Sequence, residues 1–323
     1  MFRTPILPQA SNRKIHYKDP LFMIGSCFTE NIGNLLAKNK FDILVNPFGI
    51  LYNPISIFRL LRNTLDKKEI DTSRIIHDQG VYKHFDFHSD ISSTEESELL
   101  VIIKDAYEIT RMQLQQSKWV LITLGSAIVY KHKKLDDIVG NCHKIPAGSF
   151  SKHLLTVEEI IESFSSLNEH LNYYNQDVQF ILTVSPVRHM RDTLEMNAVS
   201  KSTLRLASYQ LTNSYKNMHY FPSFEILMDD LRDYRFYEAD MLHPNKVAID
   251  YIWDLFKRTY FNTDTITFIN EWNKILNAMH HKPFQPDSKE HQDFILNTIE
   301  KLKKLNWDID ITEELKLLEE QLT

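Results

Sequence analysis

Four short apolar runs, each followed by a turn or polar cluster, constrain this chain more than any other feature. Residues 21–24, 119–124, 180–184 and 219–221 are aliphatic or aromatic throughout or nearly so, as strands covered on both faces must be. Between and around them, residues 30–38, 56–63, 93–117, 156–172 and 201–217 carry helical patterns. Strands alternating with helices make βαβ units and a mostly parallel sheet. The expected fold class is therefore α/β, a three-layer α/β/α sandwich. In such sheets functional groups gather at the carboxyl ends of the strands.

The character changes after about residue 260. Residues 263–279, 291–307 and 311–322 have apolar positions at helical spacing, with a Pro-containing joint at 283–287. The expected organisation is a catalytic domain over residues 1–260 and a helical C-terminal appendage over 261–323. The appendage either packs on the main domain or mediates self-association.

Composition removes several classes of function. The net charge is −6 and basic residues are scattered, so no basic stripe offers itself to nucleic acid. The lysines within 131–134 and 301–304 read as solvated faces. The first 12 residues lack a basic start followed by an apolar core, and no run approaches the roughly 18 apolar residues of a membrane helix. A cytoplasmic protein without a membrane span is expected. Cys27 and Cys142 are the two cysteines, too few for a disulfide framework and without the paired spacing of a zinc site. No metal or cofactor is expected.

With 7 glycines in 323 residues, each glycine points to backbone geometry. Gly25 opens Gly25-Ser26-Cys27-Phe28-Thr29-Glu30, directly after the first apolar run. Strand, tight turn and helix would put Ser26 or Cys27 at a helix N-terminus, where free amides and the dipole favour a thiolate or an oxyanion. The same segment also reads as a plain cap, Ser26 capping and Cys27 buried. The second cluster is Asp240-Met241-Leu242-His243-Pro244, before a helix over 247–259. An Asp three residues before a His can fix its tautomer and stabilise the imidazolium. Pro244 holds His243 extended.

Together these segments carry a resemblance. Residues 24–33, IGSCFTENIG, are similar to the first block of SGNH (GDSL-like) hydrolases. Without gaps, Cys27 falls on the nucleophilic serine of that block and Ser26 on the preceding aspartate. DMLHP is similar to the last block, with Asp240 and His243 as the remaining triad members. The GSCF lettering, NCHKIP at 141–146 and SPVRH at 185–189 resemble the GSCFA family within that superfamily, over about residues 1–260.

The resemblance implies an SGNH-type, flavodoxin-like fold and a Cys/Ser-His-Asp triad acting on ester or thioester bonds of an acylated small molecule or glycan. Cys27 (or Ser26) would attack the acyl carbonyl, His243 would serve as base and then acid, and Asp240 would orient it. The elbow amide, Gly49, Gly125 and Asn141 would hold the oxyanion, with His143 lining the site. Ala127 stands where the superfamily has a side-chain amide, and a missing oxyanion donor costs about 3–4 kcal/mol; Asn141 is the substitute. Arg188 or His189 would hold an anionic substrate group, unless Arg188 pairs with Asp192 to order its loop. The rival expectations are a ligand-binding protein without turnover and an O-acyltransferase.

Overall fold

The structure is a computed structural model that describes residues 3–281 and 283–322. A five-stranded parallel sheet forms its centre: β1 (Leu21–Gly25), β2 (Ile43–Val45), β6 (Trp119–Leu124), β10 (Gln179–Val184) and β11 (Met218–Tyr220). The strand order is β11-β10-β6-β1-β2, and every neighbouring pair is parallel. The chain builds outward in one direction from β1 to β2, then crosses back and builds the other way from β6. The reversal lies between β1 and β6, the switch point at which open α/β sheets leave a crevice at their carboxyl ends.

Side-chain alternation sorts the sheet into two cores. Phe22, Ile24, Val120, Ile122, Leu124, Phe180 and Leu182 face one side. There they meet α2 (Pro54–Leu65), α3 (Glu96–Gln116), α4 (Val157–Tyr174) and α5 (Leu194–Ser214). Leu21, Met23, Trp119, Leu121 and Ile181 face the other side, against α1 (Cys27–Lys38) and α7 (Lys246–Tyr260). Every residue of β1 and β6 is buried, which is why their sequences read as unbroken apolar runs. The expected three-layer α/β/α arrangement is what the chain forms.

Two antiparallel sheets are additions that the apolar pattern does not announce. One joins β3 (Ile75–Asp78), β4 (Val81–His84) and β5 (Ser92–Ser93). The other joins β7 (Ile128–His132), β8 (Asp137–Val139) and β9 (Phe150–Leu154) in the order β8-β7-β9. A buried ionic cluster locks them to α2. Arg59 and Arg74 both reach Asp86 Oδ1, at 2.7 and 2.6 Å, and both reach Asp137 Oδ2 at 2.8 Å. Both also donate to the Ile138 carbonyl.

After β11 come a short α6 (Ser223–Glu225), a π-helical turn (Ile226–Asp230) and α7. The C-terminal helices α8 (Thr263–Met279), α9 (Lys289–Lys303) and α10 (Thr312–Glu319) lie against the main body. Phe268, Trp272, Ile295, Leu302 and Leu318 belong to the same core as α1 and α7. Trp272 Nε1 donates to the Lys38 carbonyl at 2.8 Å, and Lys40 pairs with Glu314 at 2.7 Å. Among the described residues no helix is long and apolar enough to cross a membrane.

Candidate active site

Gly25 ends β1 with φ +145, and a Cβ there would lie 2.2 Å from the Thr123 carbonyl oxygen. Only glycine fits this close approach of two strand ends. Its N–H donates to Asn46 Oδ1 at 2.9 Å, and its carbonyl accepts the Leu51 N–H at 3.0 Å. These two bonds draw the 46–53 loop across the end of the strand. The chain then turns directly into α1, with Ser26 as N-cap and Cys27 as first helical residue.

The structure separates the two nucleophile candidates. Ser26 is 1% exposed, and its hydroxyl neither caps the helix nor finds any other partner. Cys27, half-buried, lines a cavity of about 340 Å³ above the switch point. Burial, then the nearby Glu30 carboxylate, push the Cys27 thiol above its ordinary value. The amide N–H groups of Phe28 and Cys27 and the Lys201 ammonium pull the other way without overcoming them. The sulfur is therefore a thiol at neutral pH, and a nucleophilic role requires a base.

The His243 imidazole lines the same cavity. His243 Nδ1 lies 2.6 Å from Asp240 Oδ2, so Nδ1 carries the proton and Nε2 is left basic. Asp240 Oδ1 accepts the N–H groups of Leu242 and His243 at 2.8 and 3.0 Å. One carboxylate thus builds the loop and orients the ring, and these bonds hold its pKa down to about 2. Met241 sits at φ +61, and its carbonyl accepts from Arg188 at 2.7 Å. The Arg188 guanidinium lies 4.9 Å from the Tyr237 ring centre and 5.6 Å from that of Tyr234. Cys27 Sγ makes no hydrogen bond to the His243 ring among the bonds of the described residues.

The remaining candidates divide. Gly125, Asn141, Arg188 and His189 line the cavity with Cys27 and His243. Asn141 uses Oδ1 to accept the His143 N–H at 2.8 Å. His189 Nε2 is buried without a partner, and burial lowers the ring's pKa. Gly49 and His143 do not reach the cavity lining. The Gly49 N–H closes a turn on the Asn46 carbonyl at 2.8 Å, and a Cβ at that φ of +71 would strike His88. His143 is 2% exposed, with Nε2 2.9 Å from the His84 carbonyl and Nδ1 3.0 Å from Ser89 Oγ. Its ring buttresses the wall that carries Asn141 and Cys142. Ala127 is fully buried, and its N–H donates to Ser200 Oγ at 2.8 Å. Asp192 pairs with Lys152, not with Arg188. Cys142 lines the cavity as a second free thiol beside Arg191. Among the described residues no group of three or more His, Cys, Asp or Glu could hold a metal ion.

A family model described as the GSCFA family matches residues 20–256, most of the chain. The protein belongs to the GSCFA family. A second model, the C-terminal domain of GSCFA domain proteins, matches residues 272–323. No curated protein matches the chain. The region matched to the GSCFA family contains both cavity walls, from Cys27 to His243.

Two residues of this GSCFA cavity, and one buried behind it, escaped the sequence reading. Tyr52 lies beside Cys27, and its carbonyl accepts the Gly125 and Ser126 N–H groups at 2.7 and 2.9 Å. Arg191 lies 4.7 Å from the Tyr130 ring centre in the cavity wall. Lys201 is 1% exposed, and its ammonium sits directly behind two lining residues, donating to the Gly125 and Ser185 carbonyls at 2.8 Å each. No spacing rule singles out such groups. A lysine inside an otherwise helical pattern reads as a solvated face until the fold buries it.

Proposed function

We propose that this GSCFA protein is an SGNH-type hydrolase that opens ester or thioester bonds through a covalent acyl-Cys27 intermediate. The observation that carries the reading is one cavity lined by both Cys27, at a helix N-terminus on the sheet's switch point, and an Asp240-oriented His243. His243 Nε2 takes the thiol proton as sulfur adds to the acyl carbonyl, and then gives it to the leaving alcohol or thiol. Water, deprotonated by the same nitrogen, adds to the acyl carbonyl, the C–S bond breaks, and the imidazolium returns its proton to the Cys27 sulfur as the acid leaves. Asp240 stays ionised throughout and stabilises the imidazolium. The amides of the first α1 turn and the Asn141 side chain supply the oxyanion donors. Val129, Val139 and Val187 offer apolar surface for the acyl chain, and Arg188 and Arg191 favour a substrate bearing an anionic group. An acylated small molecule or glycan suits a cavity of this size, and acyl transfer to an acceptor alcohol would follow if that alcohol replaced water.

Intact-protein mass spectrometry after exposure to a p-nitrophenyl ester tests the assignment. A covalent acyl group is expected on the unaltered protein and on Ser26→Ala, absent from Cys27→Ala, and strongly slowed in His243→Ala. Acylation that persists in Cys27→Ala would remove the triad. A ligand-binding role without turnover is the rival reading, favoured by the lack of a direct Cys27–His243 hydrogen bond. It predicts no acyl-enzyme in any variant.

A further inference from the structure

The loop that carries Asp240 and His243 is tied to the rest of the molecule at very few points. Its two ends are pinned by the bridge between Tyr237 and Pro244. Between them residues 238–241 and His243 are exposed. The loop closes on itself: the Glu238 N–H donates to the His243 carbonyl at 2.8 Å and the Met241 N–H to the Glu238 carbonyl at 2.9 Å. Asp240 accepts from Leu242 and His243, again within the loop. Among the described residues, a single hydrogen bond joins residues 238–243 to any residue outside the loop, the one from Arg188 Nη2 to the Met241 carbonyl at 2.7 Å. Met241 sits at φ +61, a conformation that costs a side-chain-bearing residue unless its surroundings hold it.

Arg188, by contrast, is fixed from the body of the protein. The Val187 N–H donates to Ser185 Oγ at 3.4 Å, just after β10. The His189 N–H donates to Oδ1 of Asn197, buried in α5, at 3.1 Å. The guanidinium lies over the Tyr237 and Tyr234 rings, and the Tyr237 hydroxyl is held in turn by Met228 Sδ at 3.6 Å. Among the described residues no carboxylate pairs with Arg188, since Asp192 pairs with Lys152. Its charge is thus spent on two aromatic faces and on one backbone carbonyl of the loop.

We propose that Arg188 is a positioning residue, a clasp that ties the exposed loop bearing His243 to the carboxyl end of β10 and so sets the place of the imidazole in the Cys27 cavity. The inference rests on the reading of His243 as the base for Cys27, whereas the clasp itself needs no ester chemistry. Arg188, His243 and Cys27 line one cavity. A displacement of the base on the order of 1 Å is worth about a hundredfold in rate, and the one bond from Arg188 is what limits such displacement here.

The test is a double-variant cycle, read as the rate at which p-nitrophenyl acetate acylates Cys27 by intact-protein mass spectrometry. The acetyl ester is neutral, so a contact between Arg188 and an anionic substrate group does not enter. Arg188→Met should slow acylation roughly ten- to a hundredfold when His243 is present, and by less than about twofold in a His243→Ala background. Equal slowing in both backgrounds, or none in either, would overturn the proposal, because a general structural loss or a direct charge effect on the thiol acts with or without His243. Should Arg188→Met fail to fold, Arg188→Gln runs the same cycle with a shorter, uncharged side chain. Amide hydrogen exchange reads the clasp without any ester. In Arg188→Met the amides of residues 238–243 should exchange roughly tenfold faster, while those of α7 keep their rates. Unchanged exchange over 238–243 refutes the clasp whatever the acylation shows. Faster exchange in a protein that no ester acylates would leave the clasp standing and dismiss only the hydrolase reading.

Discussion

Replacing His143 by Asn should remove one pH-dependent contribution to the protein's stability. The imidazole is buried between Ser89 Oγ and the His84 carbonyl. A carbonyl only accepts, so Nε2 carries the proton and Nδ1 accepts from the Ser89 hydroxyl. The neutral ring satisfies both contacts. Burial, with lesser repulsion from Lys83, His84 and His88, lowers its pKa from 6.5 to about 4. A histidine whose folded pKa is depressed binds its proton more readily in the unfolded chain. Its contribution is thus fully present above pH 6.5 and is lost as pH falls towards about 4. Over the whole window that amounts to about 3 kcal/mol, of which about 2 kcal/mol is lost between pH 7 and pH 5.

Asn is the substitution of choice because residue 143 has φ +49, a conformation Asn tolerates. Urea unfolding of both proteins at pH 7, 6 and 5 isolates the term. The variant should be the less stable at pH 7, with the gap closing by about 2 kcal/mol at pH 5. His84, also pushed down by burial, leaves a residual slope in both proteins that cancels in the difference. A gap that stays constant from pH 7 to pH 5 would refute the assignment of a neutral, buried His143.

Four further outcomes follow from the same geometry. Asp86→Ala leaves Arg59 and Arg74 buried with one exposed carboxylate between them, and should cost about 3–5 kcal/mol in urea unfolding. Asp308→Ala, which breaks an exposed pair with Lys18, should cost less than about 1 kcal/mol. Ser26→Ala removes a buried hydroxyl that has no partner, so thermal unfolding should register a change within about 1 kcal/mol and Cys27 alkylation none. Asp240→Asn should slow acylation of Cys27 by roughly a hundredfold or more while leaving thermal unfolding unchanged, because the ring loses its orienting carboxylate at an exposed site.

The central sheet was legible because β1, β6 and β10 are buried on both faces, which writes an unbroken apolar run into the sequence. β2 escaped notice as the edge strand, three residues of intermediate burial. The β3–β5 and β7–β9 sheets escaped for a different reason. Their strands are short and carry polar and charged residues such as His77, Asp78, Lys83 and Asp137, so no apolar run marks them. Helix boundaries slipped where the signal was a cap. The 201–217 pattern is apolar-periodic, but α5 starts at Leu194 because Thr193 accepts the Met196 N–H.

In the site, what the sequence disclosed were groups whose local spacing already does the work. Asp240 and His243 meet within one loop, and Gly25 with Cys27 makes the elbow without help from elsewhere. What it concealed depends on separation along the chain. His143 follows Asn141 and Cys142 in sequence, yet its left-handed φ rotates it away from the cavity and into the wall. Lys201 lies 174 positions beyond Cys27, and only the parallel crossover from β10 through α5 carries its ammonium behind the ends of β6 and β10. A group placed by such a crossover is invisible to any reading of motifs taken one at a time.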